Sequence, residues 1–188
     1  MIDRIKEIFQ ETCKVKKDLM GSCAKPLSEI VTAITKAIKG GNKVVVFGNG
    51  GSAADSQHMA AELVGRFQKE RRAIPAIALS TNTSTLTALS NDYGYDSSFA
   101  RQIEALGQKG DIAIAISTSG KARNVIEAAK AAKTRGMLVV GLIGKDGGEL
   151  AKIVDMPIVV PSQSTARIQE SHITLIHIIC ELVEKGIS

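Results

Sequence analysis

The stretch that decides the fold is VVVFGNGGSAADSQHMAAEL, which runs from Val44 to Leu63. It opens with a short apolar run of the kind expected for a strand buried on both faces. The run stops at a turn of glycine, asparagine and serine, and a segment with helical spacing follows. This order predicts one strand–turn–helix unit of a parallel sheet, with the turn at the carboxyl edge of that sheet.

The same alternation continues along the chain. Four further apolar runs are separated by segments with helical spacing, and a last long helix is expected from about Thr165 to Lys185. The four further predicted strands are Ile74–Leu79, Asp111–Ser117, Met137–Ile143 and Met156–Pro161. The sequence therefore predicts an α/β fold, a five-stranded parallel sheet with helices on both faces.

Residues 1–40 carry apolar side chains three or four positions apart, which predicts amphipathic helix. Gly21 and Pro26 predict a break, so two helices are expected here. The apolar stripe of these helices is expected to be incompletely covered by the sheet, which favours contacts between copies of the chain. We expect a single domain over residues 1–188, with residues 1–40 as its helical oligomerisation segment.

Composition excludes several classes of protein. Aromatic residues make up only 3% of the chain and tryptophan is absent, which argues against a stacking platform for nucleic acid. The net charge of +5 is interleaved with acids and favours small anionic ligands. The three cysteines form no CxxC pair, which favours free thiols in a reducing compartment. With no signal peptide and no apolar run of ~20 residues, we expect a cytoplasmic protein without membrane contact.

The five loops that follow the predicted strands are rich in serine, threonine, glycine and asparagine. Each alone is ordinary turn chemistry, but together at one rim they predict a polar pocket. Glycines let the main chain approach an anion, and the helix after the first turn offers free N–H groups, which suits a phosphate. For Ser52 and Ser119 alone, helix capping is an equally good interpretation. The hydroxyls expected at the phosphate belong to Ser52, Ser117, Thr118 and Ser119.

Two other phosphate-binding motifs fit less well. The letters GNGGSA nearly match the dinucleotide fingerprint, but the second strand ends in ALSTNTS without the acid that the ribose requires. A Walker A loop needs a final Gly-Lys-Ser/Thr, which this turn lacks. The sequence therefore favours neither NAD nor a nucleoside triphosphate.

His58 and Glu62 are four residues apart, so a helix places them on the same face. The other two histidines lie in RIQESHITLIHII, where His177 is two turns beyond Gln169 and His172 points about 140° away from His177. A carboxylate and an imidazole beside a phosphate site indicate proton transfer next to a carbonyl. We expect the glutamate to take the proton from the neighbouring carbon and a histidine to move a proton on oxygen as an enediol forms.

Five motifs together resemble the phosphoheptose isomerases of the sugar isomerase (SIS) fold, a flavodoxin-like sandwich. In chain order they are GNGGSAADSQHMAAEL, NDYG, AISTSGKARNVI, GLIGKDGGELA and TARIQESHITLIHII, and they span nearly the whole chain. The resemblance implies an aldose–ketose isomerase that converts sedoheptulose 7-phosphate to D-glycero-D-manno-heptose 7-phosphate, the first step towards the heptose of lipopolysaccharide or related surface glycans. It also implies a cytoplasmic homotetramer that binds one zinc per subunit, with active sites between subunits.

The resemblance assigns roles to particular residues. Glu62 is implied as the base and His177 as its acid/base partner. The implied zinc ligands are His58, Glu62, Gln169 and His177. The implied substrate contacts are Asn49, Gly50, Gly51, Ser52, Asn91, Asp92, Ser117, Thr118, Ser119 and Gln169. Two positions depart from the family pattern, because Ala122 stands where a serine is frequent and Ala166 where an acid is frequent.

Two alternatives and one difficulty remain open from the sequence. A non-catalytic protein that associates with the bacterial replication initiator has the same fold but lacks the glutamate and histidine that stand here at Glu62 and His177. A sugar-phosphate sensor would bind without turnover. Gln169 and His177 lie ~12 Å apart along an ideal helix, so both reach one ion only by leaning together or from different subunits.

Overall fold

Five parallel strands form the centre of the computed structural model, which describes residues 1–187. They are β1 (Val44–Gly48), β2 (Ala76–Ala78), β3 (Ile112–Ser117), β4 (Leu138–Gly144) and β5 (Met156–Val160). Their spatial order is β2-β1-β3-β4-β5, so the direction of winding reverses between β1 and β3. Ligands of such sheets bind beyond the carboxyl ends of the strands at this switch point. The predicted five-stranded parallel sheet is confirmed, with strand ends shifted by one or two residues.

Six α-helices of residues 1–187 cover the sheet. They are α1 (Ile2–Lys39), α2 (Gly51–Val64), α3 (Thr83–Tyr93), α4 (Ala100–Leu106), α5 (Arg123–Thr134) and α6 (Thr165–Ile187). One hydrophobic core packs α1, α2 and α6 against one face of the sheet, and a second packs α4 and α5 against the other. The strands β1 and β3 are buried along their whole length, which explains their uninterrupted apolar runs.

The predicted break in the N-terminal segment is wrong. Residues Ile2–Lys39 form one continuous helix with Pro26 inside it. Proline removes one helical hydrogen bond and costs about 3 kcal/mol in a helix interior. Cys23, Leu27 and Ile30 on either side of it are buried in the core that α1 shares with α6, and this tertiary packing offsets the cost. Local turn signals cannot report a contact with a helix 140 residues later.

The first half of α1 extends beyond the core. Ile2, Ile5 and Phe9 are exposed by 70%, 49% and 69%, and they recur on one side of the helix. This apolar stripe therefore has no cover within the described chain. None of the helices in residues 1–187 has the length and apolar content needed to span a bilayer.

Candidate active site

The turn after β1 brings α2 into close contact with the sheet. A Cβ on Gly48 would lie 2.7 Å from the Cβ of Ser52 and 2.8 Å from the carbonyl oxygen of Ile116. Gly50 is the N-cap of α2 and has φ 55°, in the left-handed region that favours glycine. The glycines of this turn therefore allow the helix to begin directly above the ends of β1 and β3.

Ser52 and Ser119 could have been helix caps by their sequence positions, but neither is one in the structure. Ser52 lies inside the first turn of α2, and the N-cap of α5 is Ala122. Within residues 1–187 no side chain caps either helix start. Two helix N-termini with the positive ends of their dipoles thus open at the same rim of the sheet, an arrangement that favours an anion.

A small cleft of about 90 Å³ lies between these helix starts. The Ser117 Oγ accepts a hydrogen bond from the N–H of Gly120 at 3.1 Å, and the Ser119 Oγ accepts one from Lys121 at 3.2 Å. The structure therefore brings together most of the residues expected at the phosphate. The cleft is lined by Asn49, Ser52, Ile116, Ser117, Thr118, Ser119 and Ala122.

The side chain of Asn49 is held by two residues that the sequence analysis did not single out. The amides of Asn49 and Asn124 exchange two hydrogen bonds of 2.8 and 2.9 Å. The Tyr95 hydroxyl donates to the Asn49 Oδ1 at 2.9 Å. Asn124 lies in the first turn of α5, and its position at the carboxyl rim of the sheet was the signal that could have identified it.

The loops after β3 and β4 touch through their main chains. A Cβ on Gly120 would lie 2.0 Å from the carbonyl oxygen of Gly147, and a Cβ on Gly148 would lie 2.6 Å from that of Gly120. The Leu150 N–H donates to the Gly120 carbonyl at 3.1 Å. This glycine contact fixes the loop that carries the serines of the cleft.

The second group of predicted residues meets where α2 crosses α6. The His58 Nε2 lies 3.1 Å from the Glu62 Oε1 and 3.3 Å from the His177 Nε2. The Glu62 side chain is 25% exposed, so it is sheltered but open to a ligand. The structure thus brings together the implied base, the implied acid/base residue and a second imidazole, as proton transfer requires.

The cleft and the His58–Glu62–His177 cluster share one helix. Ser52 and His58 are six residues apart on α2, which corresponds to about 9 Å along the axis. A ligand that touches both must therefore be extended, with its anionic end at the start of α2.

Gln169 lies apart from the cluster. A Cβ on Gly51 would be 2.3 Å from the Gln169 Nε2, which places this amide at the beginning of α2. Along α6 it precedes His177 by about 12 Å. Within one chain Gln169 is therefore placed for a substrate contact, and its role as a zinc ligand stays a prediction.

Asn91 and Asp92 are not among the residues that line the cleft. Both are exposed near the end of α3, and the Asn91 amide donates to the Asp92 carboxylate at 2.9 Å. Their predicted contact with substrate stays a prediction.

Comparison with known proteins agrees with this geometry. The SIS domain family matches residues 9–144. The phosphoheptose isomerase of Aquifex aeolicus is 52% identical over 98% of this chain and 97% of that protein. The chain belongs to the phosphoheptose isomerase family. Its predicted α/β fold and its predicted class, an isomerase, are thereby confirmed.

Two solved phosphoheptose isomerases have the same structure. The enzyme of Neisseria gonorrhoeae is 42% identical, with a TM-score of 0.92 over 97% of this chain and 98% of that one. The enzyme of Francisella tularensis is 34% identical, with a TM-score of 0.95 over 98% of each chain. The resemblance therefore extends over the long first helix as well as the sheet.

Ala122 is a departure from the usual phosphoheptose isomerase pattern that the structure makes testable. It occupies the N-cap position of α5, where its methyl side chain cannot accept a capping hydrogen bond, and it lines the cleft. We expect Ala122→Ser to raise the free energy of unfolding by about 0.5–2 kcal/mol through capping. An added hydrogen bond to the phosphate should lower KM about fivefold with little change in kcat. Steady-state kinetics and thermal melts measure both effects, with Ala73→Ser in an exposed loop as the control.

His172 is the one histidine that the structure separates from the His58–Glu62–His177 cluster. It is fully buried, and neither ring nitrogen has a hydrogen-bond partner among residues 1–187. Burial lowers the pKa of its imidazole to about 4, although the nearby main chain of Ile143 opposes the shift. His172 is therefore a neutral core residue.

Acid should destabilise this phosphoheptose isomerase through His172. The unfolded state binds more protons between the folded pKa of about 4 and the ordinary value near 6.5, so stability is complete above that range and is lost as the pH falls through it. Between pH 7.5 and pH 5 the loss is about 2 kcal/mol. Melting temperatures across this interval should fall less steeply for His172→Leu than for the wild type, and parallel curves would contradict the assignment.

Proposed function

We propose that this isomerase interconverts sedoheptulose 7-phosphate and D-glycero-D-manno-heptose 7-phosphate, the first step of heptose synthesis for lipopolysaccharide or related surface glycans. The observation that carries the proposal is the contact of His58 with both Glu62 and His177 at 3.1 and 3.3 Å. His58 and Glu62 lie on α2, the helix whose uncapped start opens at the serine-lined cleft, and His177 reaches them from α6.

The reaction follows from these positions. The phosphate binds at the cleft, where Ser52, Ser117 and Ser119 offer hydroxyls and the starts of α2 and α5 offer positive dipole ends. Glu62 removes the proton from the carbon next to the carbonyl, and the enediol forms. His177 transfers a proton between the two oxygens, after which Glu62 returns its proton to the other carbon.

We also propose zinc as the resident metal. Within residues 1–187 of one chain, no group of three or more His, Cys, Asp or Glu side chains is placed so that it could hold a metal ion. The donor types nevertheless suit zinc, and the two distances from the His58 Nε2, 3.1 and 3.3 Å, are close to the separation of about 3.3 Å between neighbouring donors around a zinc ion. His58, Glu62 and His177 would hold the ion, with Gln169 of a neighbouring copy as the proposed fourth ligand. When bound, zinc would supply a positive charge that orients these side chains.

Removal of zinc tests that assignment. Dialysis against a chelator should lower both the melting temperature and kcat, and added zinc should restore them, because a ligand of the folded state stabilises it. The His58→Gln variant should bind less zinc and show a smaller shift in melting temperature. Turnover that survives complete metal removal would exclude zinc from the mechanism.

The exposed apolar surface supports a homotetramer with active sites between subunits. Besides the stripe on the first half of α1, a groove of about 420 Å³ runs between α1 and α6. Met20, Ile178 and Leu182 at this groove are exposed by 63%, 36% and 39%. We propose that residues 1–40 act as the oligomerisation segment of a single SIS domain, and that the protein is cytoplasmic. A second copy also offers a source for the proposed fourth zinc ligand, Gln169, and a place for the proposed substrate contact of Asn91.

A panel of C5 to C7 ketose phosphates tests the proposed function. We expect aldose formation to be fastest with sedoheptulose 7-phosphate. Turnover of a shorter ketose with higher kcat/KM would overturn the substrate assignment. Binding without aldose formation would indicate a sensor, and capture of the replication initiator by an inactive protein would indicate the non-catalytic relative.

A further inference from the structure

A buried ion pair lies between the two helices that carry Glu62 and His177. Glu184 is on α6, seven residues beyond His177, and Arg71 is in the loop after α2. Their side chains are 2% and 4% exposed, and the Arg71 Nε lies 3.3 Å from the Glu184 Oε1. Both residues lie outside the lining of the cleft. A buried pair of charges adds little net stability over well-packed apolar residues. The role of this pair is therefore inferred from the groups that it binds.

Arg71 binds the last turn of α2. Its Nη2 donates to the carbonyl oxygen of Glu62 at 2.8 Å, and its Nη1 donates to those of Gly65 at 2.8 Å and Arg72 at 3.1 Å. The final carbonyls of a helix lack partners within the helix, and a forked cation satisfies several of them at once. The guanidinium of Arg71 thus holds the main chain of Glu62 through its carbonyl oxygen.

Glu184 binds the loop that leads from α2 to Arg71. Its carboxylate accepts the N–H groups of Phe67 at 2.9 Å, Gln68 at 2.8 Å and Lys69 at 2.9 Å. Burial opposes ionisation, but these three N–H groups and Arg71 outweigh it and lower the pKa of Glu184. The loop so held places the Phe67 ring against the His177 ring, with centroids 5.7 Å apart.

We propose that Glu184 and Arg71 are positioning residues for the isomerisation. One carboxylate fixes the main chain of the base Glu62 through Arg71 and the ring of His177 through Phe67. Neither residue contacts the substrate, and the proposal rests on the roles proposed above for Glu62 and His177. Displacement of a catalytic group by about 1 Å can cost 10²-fold in rate, so the loss of this pair should appear in kcat.

The test compares Glu184→Gln with a matched variant at a purely structural site. Asp111 is equally buried, accepts the main-chain N–H groups of Lys43 at 3.0 Å and Gln108 at 2.9 Å, and pairs with the Lys43 Nζ at 2.6 Å. It stands just before β3, at the opposite end of the sheet from the cleft. Both Glu184→Gln and Asp111→Asn should lower the melting temperature. Only Glu184→Gln should lower kcat, by about 10- to 100-fold with KM within about twofold, in protein that circular dichroism shows to be folded.

If Glu184→Gln does not fold, two milder variants test separately the contact of Arg71 with α2 and the contact of Phe67 with His177. Arg71→Lys keeps the charge next to Glu184, but an ammonium cannot reproduce the forked contacts with the carbonyls, so kcat should fall while Arg72→Lys stays at the wild-type rate. Phe67→Leu removes the ring from His177 and should also lower kcat. If Glu184 and Arg71 act as one unit, the double variant Glu184→Gln/Arg71→Lys should lose much less kcat than the product of the two single fold-losses.

The outcomes separate this inference from the function on which it rests. Wild-type protein that isomerises no ketose phosphate overturns the proposed function. If the wild type is active and folded Glu184→Gln keeps the wild-type kcat, only the positioning role is overturned. If Glu184→Gln does not fold, an unchanged kcat in both Arg71→Lys and Phe67→Leu overturns it in the same way. Equal losses of kcat in Glu184→Gln and Asp111→Asn would also overturn it, because a general loss of stability would then explain both.

Discussion

Replacement of Glu62 by glutamine is expected to lower kcat about 10²–10⁴-fold, the usual contribution of a positioned general base. The amide keeps the size of the side chain and a hydrogen-bonding partner for His58, which lies 3.1 Å from the Glu62 Oε1 in the wild type. It cannot accept a proton from carbon. Stopped-time assays of aldose formation measure the loss, and calorimetric titration with sedoheptulose 7-phosphate should show binding within a few-fold of wild type.

A suitable control for this substitution is Glu181→Gln. Glu181 lies on α6 near the cluster but forms its ion pair with Lys185 on the surface. It should retain the wild-type rate, since exposed ion pairs of this kind contribute at most about 1 kcal/mol. Full activity of Glu62→Gln would show that Glu62 is not the base, and the cluster would then have no carboxylate to take the proton from carbon.

The second large effect is expected for His177→Gln. Loss of the group that moves protons between the two oxygens should lower kcat about 10²–10⁴-fold. The amide preserves hydrogen bonding towards His58, whose Nε2 lies 3.3 Å away in the wild type. Steady-state rates of aldose formation by wild type and variant measure the loss.

His172→Leu is the matched control on the same helix. Its side chain lies in the core, so the variant should change stability against pH but leave kcat intact in folded protein. If His172→Leu lost activity while His177→Gln kept it, the assignment of the two imidazoles would have to be reversed.

Much of the fold is predictable from the sequence because its signals are local. Continuous apolar runs mark β1 and β3 because both strands are buried on both faces. Strand ends place the five polar loops at one rim, which is enough to predict the cleft at Ser117–Ser119. The helical spacing of His58 and Glu62 likewise predicts their contact.

The features that escape prediction depend on contacts between distant parts of the chain. Pro26 is a helix breaker by its local chemistry, and only burial against α6 explains why α1 continues through it. Arg71 and Glu184 are 113 positions apart and carry no periodic signal, so their pairing is visible only in three dimensions. The separation of Gln169 from His177 was foreseeable from helix rise, but its place beside Gly51 was not.

The glycine contact between the loops after β3 and β4 limits how the enzyme can be redesigned. With the Gly147 carbonyl only 2.0 Å from where a Gly120 side chain would begin, neither loop has room for a bulkier residue. A laboratory search for variants that accept shorter or longer sugars should therefore leave these two glycines untouched. Productive diversity is to be sought around Tyr95, which is 52% exposed.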